Sequence, residues 1–148
     1  MLIGMMFCSP ISAAFALLGS TVSTLTALGL GASSMSVYAG LWGYSASLSS
    51  IAIGGLFFVA NSWKTLFYAI LAALYSGIVH GAVSSFLAPF GLPALTLPFV
   101  FVSWIWCLAG NSIGGLFPVE ITAITIPEDH IKRVRLALKV TSKFKELN

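Results

Sequence analysis

The chain is expected to be an all-α membrane protein of about four transmembrane or re-entrant helices, and three observations lead there. Its composition is 58% hydrophobic and 7% charged. Along residues 1 to 119 the one formally charged side chain is Lys64. Several apolar stretches reach the roughly 20 residues that a helix needs to cross a bilayer. A soluble single-core domain of this length could not hide so much apolar surface, because its outer faces must meet water.

The opening MLIGMMF reads as the remainder of a hydrophobic element, with no basic region ahead of it to mark a cleaved signal peptide. Spans are expected at about residues 9–31, 36–60, 64–88 and 93–110. Breaks fall in the Gly/Ser-rich stretch 29–34, at Asn61 and Ser62, and at Pro89 to Gly91. Connections of a few residues make neighbouring helices antiparallel hairpins of one bundle. The membrane part is expected to occupy residues 1–126 and a basic tail residues 127–148.

Trp63 and Lys64 together suit a membrane boundary, where indole and ammonium both reach headgroups. The third span carries Ala73, Gly77, Gly81 and Ser85 at a spacing of four, a stripe of small residues that lets another helix approach closely, inside one protomer or between protomers. His80 lies on the same helix. An intramembrane ionisable residue is a functional candidate. Residues 1 to 119 hold no carboxylate to complete a proton relay, so His80 is read as a neutral, hydrogen-bonded packing residue.

The net charge of +3 arises in the tail, where Lys132, Arg133, Arg135, Lys139, Lys143 and Lys145 outnumber Glu128, Asp129 and Glu146, while Lys64 and Glu120 cancel. Six basic residues after the last apolar segment put the C-terminus on the cytoplasmic side. Nucleic-acid binding is not expected, since no aromatic residues interleave with the cluster. Thr125 and Glu128 fit a capping box. Ile131, Val134, Leu138 and Thr141 then follow at helical spacing, which makes a short amphipathic helix on the membrane surface or against the bundle.

Catalytic chemistry is not indicated: there is no Ser/His/Asp set with plausible partners, no paired carboxylates in the bundle and no phosphate-binding glycine loop. Cys8 and Cys107 sit in apolar runs without CxxC or Cys/His spacing, so neither a disulfide, a metal site nor a cofactor is expected. Most of the serines are expected to back-bond to their own helices.

What stands out is FGLPALTLPF, residues 90–99. If this stretch is helical, Pro93 and Pro98 leave the carbonyls of Pro89 and Ala94 without their donors. Such backbone is tolerated in a membrane only where it is buried in protein or lines a wet cavity. Thr96, between the prolines, adds an acceptor. A neutral cavity offering acceptors suits a neutral solute rich in N–H donors better than an ion. In the second span Tyr44 and Leu48 lie one turn apart on one face and can wall a flat slot; each feature also has a purely structural explanation, a proline kink or core packing.

Leu92, Pro93, Thr96, Pro98 and Phe99 complete the pattern L-P-x-x-T-x-P-F, by which the chain resembles the urea transporters. SPISAAFALLGS at 9–20, YAGLWGYSASLSSIAIGG at 38–55 and TIPE at 125–128 are similar to stretches of that family's C-terminal half, and the similarity runs from about residue 3 to residue 131. The resemblance implies a passive, channel-like carrier for urea in the plasma membrane, built from two halves of inverted topology and assembled as a homotrimer in membrane lipid. This chain would be the C-terminal half, lacking its N-terminal partner half, since the signature occurs once. Thr96 would stand at the narrow middle of the pore, with Tyr44 and Leu48 in a slot for planar solutes. One departure is Ser45, where family members often have asparagine, which bears on the hydrogen bonding of that loop. Two other expectations stand beside this one: a channel for another small neutral solute such as water, ammonia or an amide, and a non-conducting membrane fragment or assembly subunit.

Overall fold

The computed structural model describes residues 2–110, 112–120, 122 and 124–146. They form helices α1 (Leu2–Cys8), α2 (Pro10–Gly29), α3 (Ser34–Tyr38), α4 (Leu41–Ile51), α5 (Trp63–Leu87), α6 (Leu97–Gly110) and α7 (Pro127–Glu146). The end of α4 widens into a π-helical turn, Ala52–Leu56, and α5 tightens into a 3-10 turn, Ala88–Phe90. Among the described residues no strand forms; Phe58 and Pro118 make a single antiparallel bridge. The chain is an all-α membrane protein.

Two helices are long and apolar enough to cross a bilayer, Pro10–Gly29 and Trp63–Phe90, and the apolar α6 is shorter at 14 residues. The expected second and fourth spans are therefore interrupted. Gly40, at φ 74°, turns the chain between α3 and α4 in a left-handed conformation that glycine adopts without strain. The fourth starts late because the chain has no regular secondary structure across Leu92 to Ala94.

Local chemistry sets the helix starts. Ser9 caps α2 by accepting from the Ser12 amide at 3.1 Å, and Pro10 follows at the first helical position, where its missing N–H costs nothing. Ser62 caps α5 through the Lys64 amide at 3.3 Å.

In lipid, helices associate through close packing and polar contacts rather than a hydrophobic drive, and the interior reflects that. At Gly19, α2 meets α4 so closely that an added Cβ would lie 2.5 Å from the Ala46 carbonyl oxygen. The stripe Ala73, Gly77, Gly81 packs within the chain: Gly77 faces Ser23 and Thr26 of α2, and Gly81 faces the Trp42 ring, while Ser85 is exposed. Buried serines knit the helices, as when Ser23 donates to the Trp42 carbonyl (2.8 Å) and Ser49 lies 3.3 Å from Ser76 Oγ. Back-bonding to the same helix also occurs, from Ser47 to Gly43 (2.7 Å) and from Thr24 to Ser20 (2.8 Å). A second cluster, Ile53, Phe58, Tyr68, Val102 and Leu116, fills the end of the bundle where α4 finishes and α5 begins.

The tail departs from the expected capping box. Pro127 takes the first helical position, so the Asp129 and His130 amides bond to Ile126 O and Thr125 lies outside the helix. Glu128 instead reaches the start of α2, accepting from Ser9 Oγ at 2.9 Å and from the Ile11 amide at 3.2 Å. A carboxylate is stabilised there by free amides and the positive end of the helix dipole. His130 is clamped alongside, its Nε2 accepting from the Thr125 amide (2.9 Å) and its Nδ1 facing Gly55 O (3.2 Å). Ile131 and Val134 are half-buried and Leu138 is exposed; the side chain of Thr141 lies outside the described residues.

Candidate functional site

The segment Leu92 to Thr96 is a non-helical turn leading into α6 rather than part of a kinked helix. Gly91, at φ 65°, ends the 3-10 turn after α5. Leu95 is also left-handed, at φ 45°, which is unusual for a residue with a Cβ. The helix resumes at Leu97, so Pro98 sits in its first turn, where no N–H is required. The expected donor loss does not arise in helical form. The Ala94 carbonyl accepts from the Leu97 amide (3.2 Å), and the Thr96 carbonyl from Val100 (3.1 Å). The Leu95 carbonyl accepts from the buried Ser45 hydroxyl of α4 at 3.3 Å.

Against this turn lies a cleft of about 750 Å³, where Tyr44 from α4, His80 and Ser84 from α5, and Leu92, Pro93 and Thr96 from the turn converge. Among the described residues no formally charged side chain lines it. Thr96 is exposed on it, as are Leu92 and Pro93. Tyr44 and Gly40 also border an adjacent cleft of about 320 Å³, and Leu48 lines that one. Of the residues singled out from the sequence, the structure thus gathers Thr96, Tyr44, Leu92 and Pro93 around one space and puts Leu48 in the next, with Tyr44 common to both. Pro98 is buried and Phe99 half-buried, and neither lines either cleft.

His80 departs from its expected role. It is 6% exposed, but its Nδ1 is buried without a hydrogen-bond partner among the described residues. Its ring leans on Trp42 at 5.1 Å between centroids and 57° between planes. Ser84 was not picked out in the sequence, and its position, four residues after His80 on the same helix, was the available signal.

A comparable cavity of about 770 Å³ opens between α5 and α6, walled by Phe67, Tyr68, Tyr75 and Trp106. Of its two tyrosines Tyr68 donates to the Trp106 carbonyl (2.7 Å), and Lys64 Nζ at its rim donates to Gly114 O (3.1 Å). The walls are otherwise mostly aromatic and aliphatic. The cleft beside Thr96 is where polar and apolar groups converge, as small-solute sites require.

A family model described as "Urea transporter" matches residues 1–111. The chain is 34% identical over 122 residues to urea transporter 1 of Ovis aries and of Capra hircus, and 30% identical to that of Rattus norvegicus. Each alignment covers 82% of this chain and 32% of the relative, so the chain spans about a third of the length of the curated relatives it matches.

Proposed function

The chain belongs to the urea transporter family, and on that footing we propose that it forms one half of a passive, channel-like path for urea across a membrane. The observation that carries this is the uncharged cleft in which the Thr96 hydroxyl meets apolar walls from Tyr44, Leu92 and Pro93. Urea is flat and neutral, with four N–H donors and one carbonyl. Apolar walls can sandwich such a solute while oxygens replace its lost water, which limits the cost of desolvation. Leu48, in the cleft that shares Tyr44, extends the wall along the path.

Depth supports the same reading. The 14 residues of α6 rise about 21 Å, less than the roughly 30 Å of a hydrocarbon core. The end of α6, the start of α5 and the start of α7 meet at one end of the bundle through Lys64 with Gly114, Val59 with Phe117 and His130 with Gly55. Thr96 therefore lies within the membrane if that end is at its surface, where irregular backbone must line a cavity. The basic α7 supports a cytoplasmic location for that surface, and we take the membrane to be the plasma membrane, as the family resemblance implies.

The cleft opens on one side of the bundle, and we take a second half of inverted orientation to close it, in an assembly of three pores. Two halves that meet at midplane are the common plan for such transporters.

The test is Thr96→Val, which keeps shape and removes the hydroxyl. Urea flux through an assembly containing this chain is expected to fall about fivefold, for the loss of about 1 kcal/mol. Flux within twofold of wild type would remove Thr96 from the path. Water or ammonia flux that falls while urea flux is absent would reassign the solute.

A further inference from the structure

We propose that His80 is a solute-contacting residue of the Thr96 cleft, offering its neutral ring to a passing amide, and that protonation of this ring slows passage. The proposal rests on the urea path described above and adds to it a residue and a form of control.

Three observations place the ring for this role. His80 lines the cleft that Thr96 and Tyr44 share, and it is 6% exposed. Its Nδ1 is buried with no partner among the described residues, whereas nearly all buried polar atoms in native proteins are bonded to protein or water and the exceptions call for an explanation. Finally, the ring is held from behind. Trp42 lies against it, and Trp42 is itself fixed by its Nε1–H donating to Ser36 Oγ (3.2 Å) and by its carbonyl accepting from Ser23 (2.8 Å). A packing histidine needs a partner for its nitrogens more than it needs such a support.

A neutral imidazole carries one acceptor and one donor, and with Nδ1 buried it is the ring's other nitrogen that can meet an N–H group or the carbonyl of an amide in the cleft. Protonation turns both nitrogens into donors. It also sets a cation in an uncharged cleft. The groups packed around the ring could not compensate that charge. From α4 come Trp42 and Tyr44, from α5 itself Ser84, and from the turn Leu92 to Thr96; Tyr44 is the one titratable group among them. Lys64 stands 16 residues earlier on α5, about 24 Å along the helix, and Glu128 is engaged at the start of α2. Flux should therefore drop once the pH is low enough to charge the ring.

The experiment measures urea flux at about pH 8 and about pH 4.5 in proteoliposomes holding an assembly that contains this chain, with wild type, His80→Gln and His80→Leu. Wild type is expected to lose about fivefold at the lower pH, since one good hydrogen bond is exchanged for a repulsive contact. His80→Gln, which keeps a donor and an acceptor and does not titrate, is expected to conduct faster than His80→Leu at high pH and to lose the pH response. His80→Leu is expected to be slow at both. A pH response that survives in His80→Gln, or normal flux in His80→Leu, overturns the proposal. If Thr96→Val lowers flux and the His80 variants do not, the path stands and the role of His80 falls; if Thr96→Val has no effect, the path itself falls. Should His80→Leu fail to fold, 15N-imidazole spectra of the wild-type chain in nanodiscs supply an independent readout. Added urea should shift His80 and leave His130, clamped between Thr125 and Gly55, unmoved. No shift at His80, or equal shifts at both, would count against the proposal.

Discussion

Ser45 donates its hydroxyl hydrogen to the carbonyl oxygen of Leu95 over 3.3 Å, tying α4 to the turn that carries Thr96. Ser45 is 1% exposed, and Leu95 holds a left-handed φ of 45° that a leucine adopts only at a cost of about 1–2 kcal/mol. The bond supports a strained residue beside the proposed path. Ser45→Ala should therefore lower stability by about 1–3 kcal/mol, because the Leu95 carbonyl loses its donor. Thermal unfolding in detergent checks this, and an unchanged midpoint would show that the turn holds without α4.

Leu48 and Tyr44 bound adjoining spaces on one side of α4. Leu48→Ala should widen the wall and relax discrimination against a methylated urea by about tenfold, the scale of one or two methylenes in an apolar pocket. Competitive flux of urea and methylurea measures it. Unchanged discrimination with normal expression would return Leu48 to simple packing.

Close approach at Gly19 makes Gly19→Ala a sharp test of the α2–α4 interface. The new methyl would fall 2.5 Å from both Ala46 O and Ser50 Oγ, and backbone cannot yield as a flexible side chain does. A loss of about 1–3 kcal/mol is expected, as for other overpacked sites. Gly29→Ala, with open space around it, should be neutral or stabilising and serves as the control.

Glu128 fastens the tail helix to the first turn of α2. Glu128→Ala should free α7 and leave the Ile11 amide unpaired, at a cost of about 1–3 kcal/mol. Faster hydrogen exchange at Ile11 and in the first turn of α7, with α5 unaffected, is the expected signature. Exchange rates that stay as in wild type would mean that His130 alone holds the tail.

The 148 residues in liposomes without any other half should give no urea efflux above the lipid background, because Thr96 and Leu92 lie on an open face. A homodimer could close it only if one copy left its basic tail outside, against the positive-inside rule. Efflux that a bulky residue at Thr96 abolishes would show that a single half suffices.

Membrane residence and the helical class were legible in the chain itself, since 58% apolar residues and a lone Lys64 before residue 120 leave no soluble alternative. So were α2 and α5, whose apolar runs are long, and Thr96 as a residue of interest, because a hydroxyl between two prolines contradicts the local pattern. Three things needed the fold. The break at Gly40 and the late start of α6 depend on left-handed residues, and Leu95 carries no mark of that in its side chain. The carboxylate of Glu128 looked local because a capping box spans three residues, yet it bonds to Ser9 across 119 positions, a contact that only folding brings together. His80 read as ordinary packing until α4 and the turn were placed around it. Periodicity reports which face a residue shares; whether its nitrogen finds a partner depends on groups from other helices, and among the described residues none meets Nδ1 of His80.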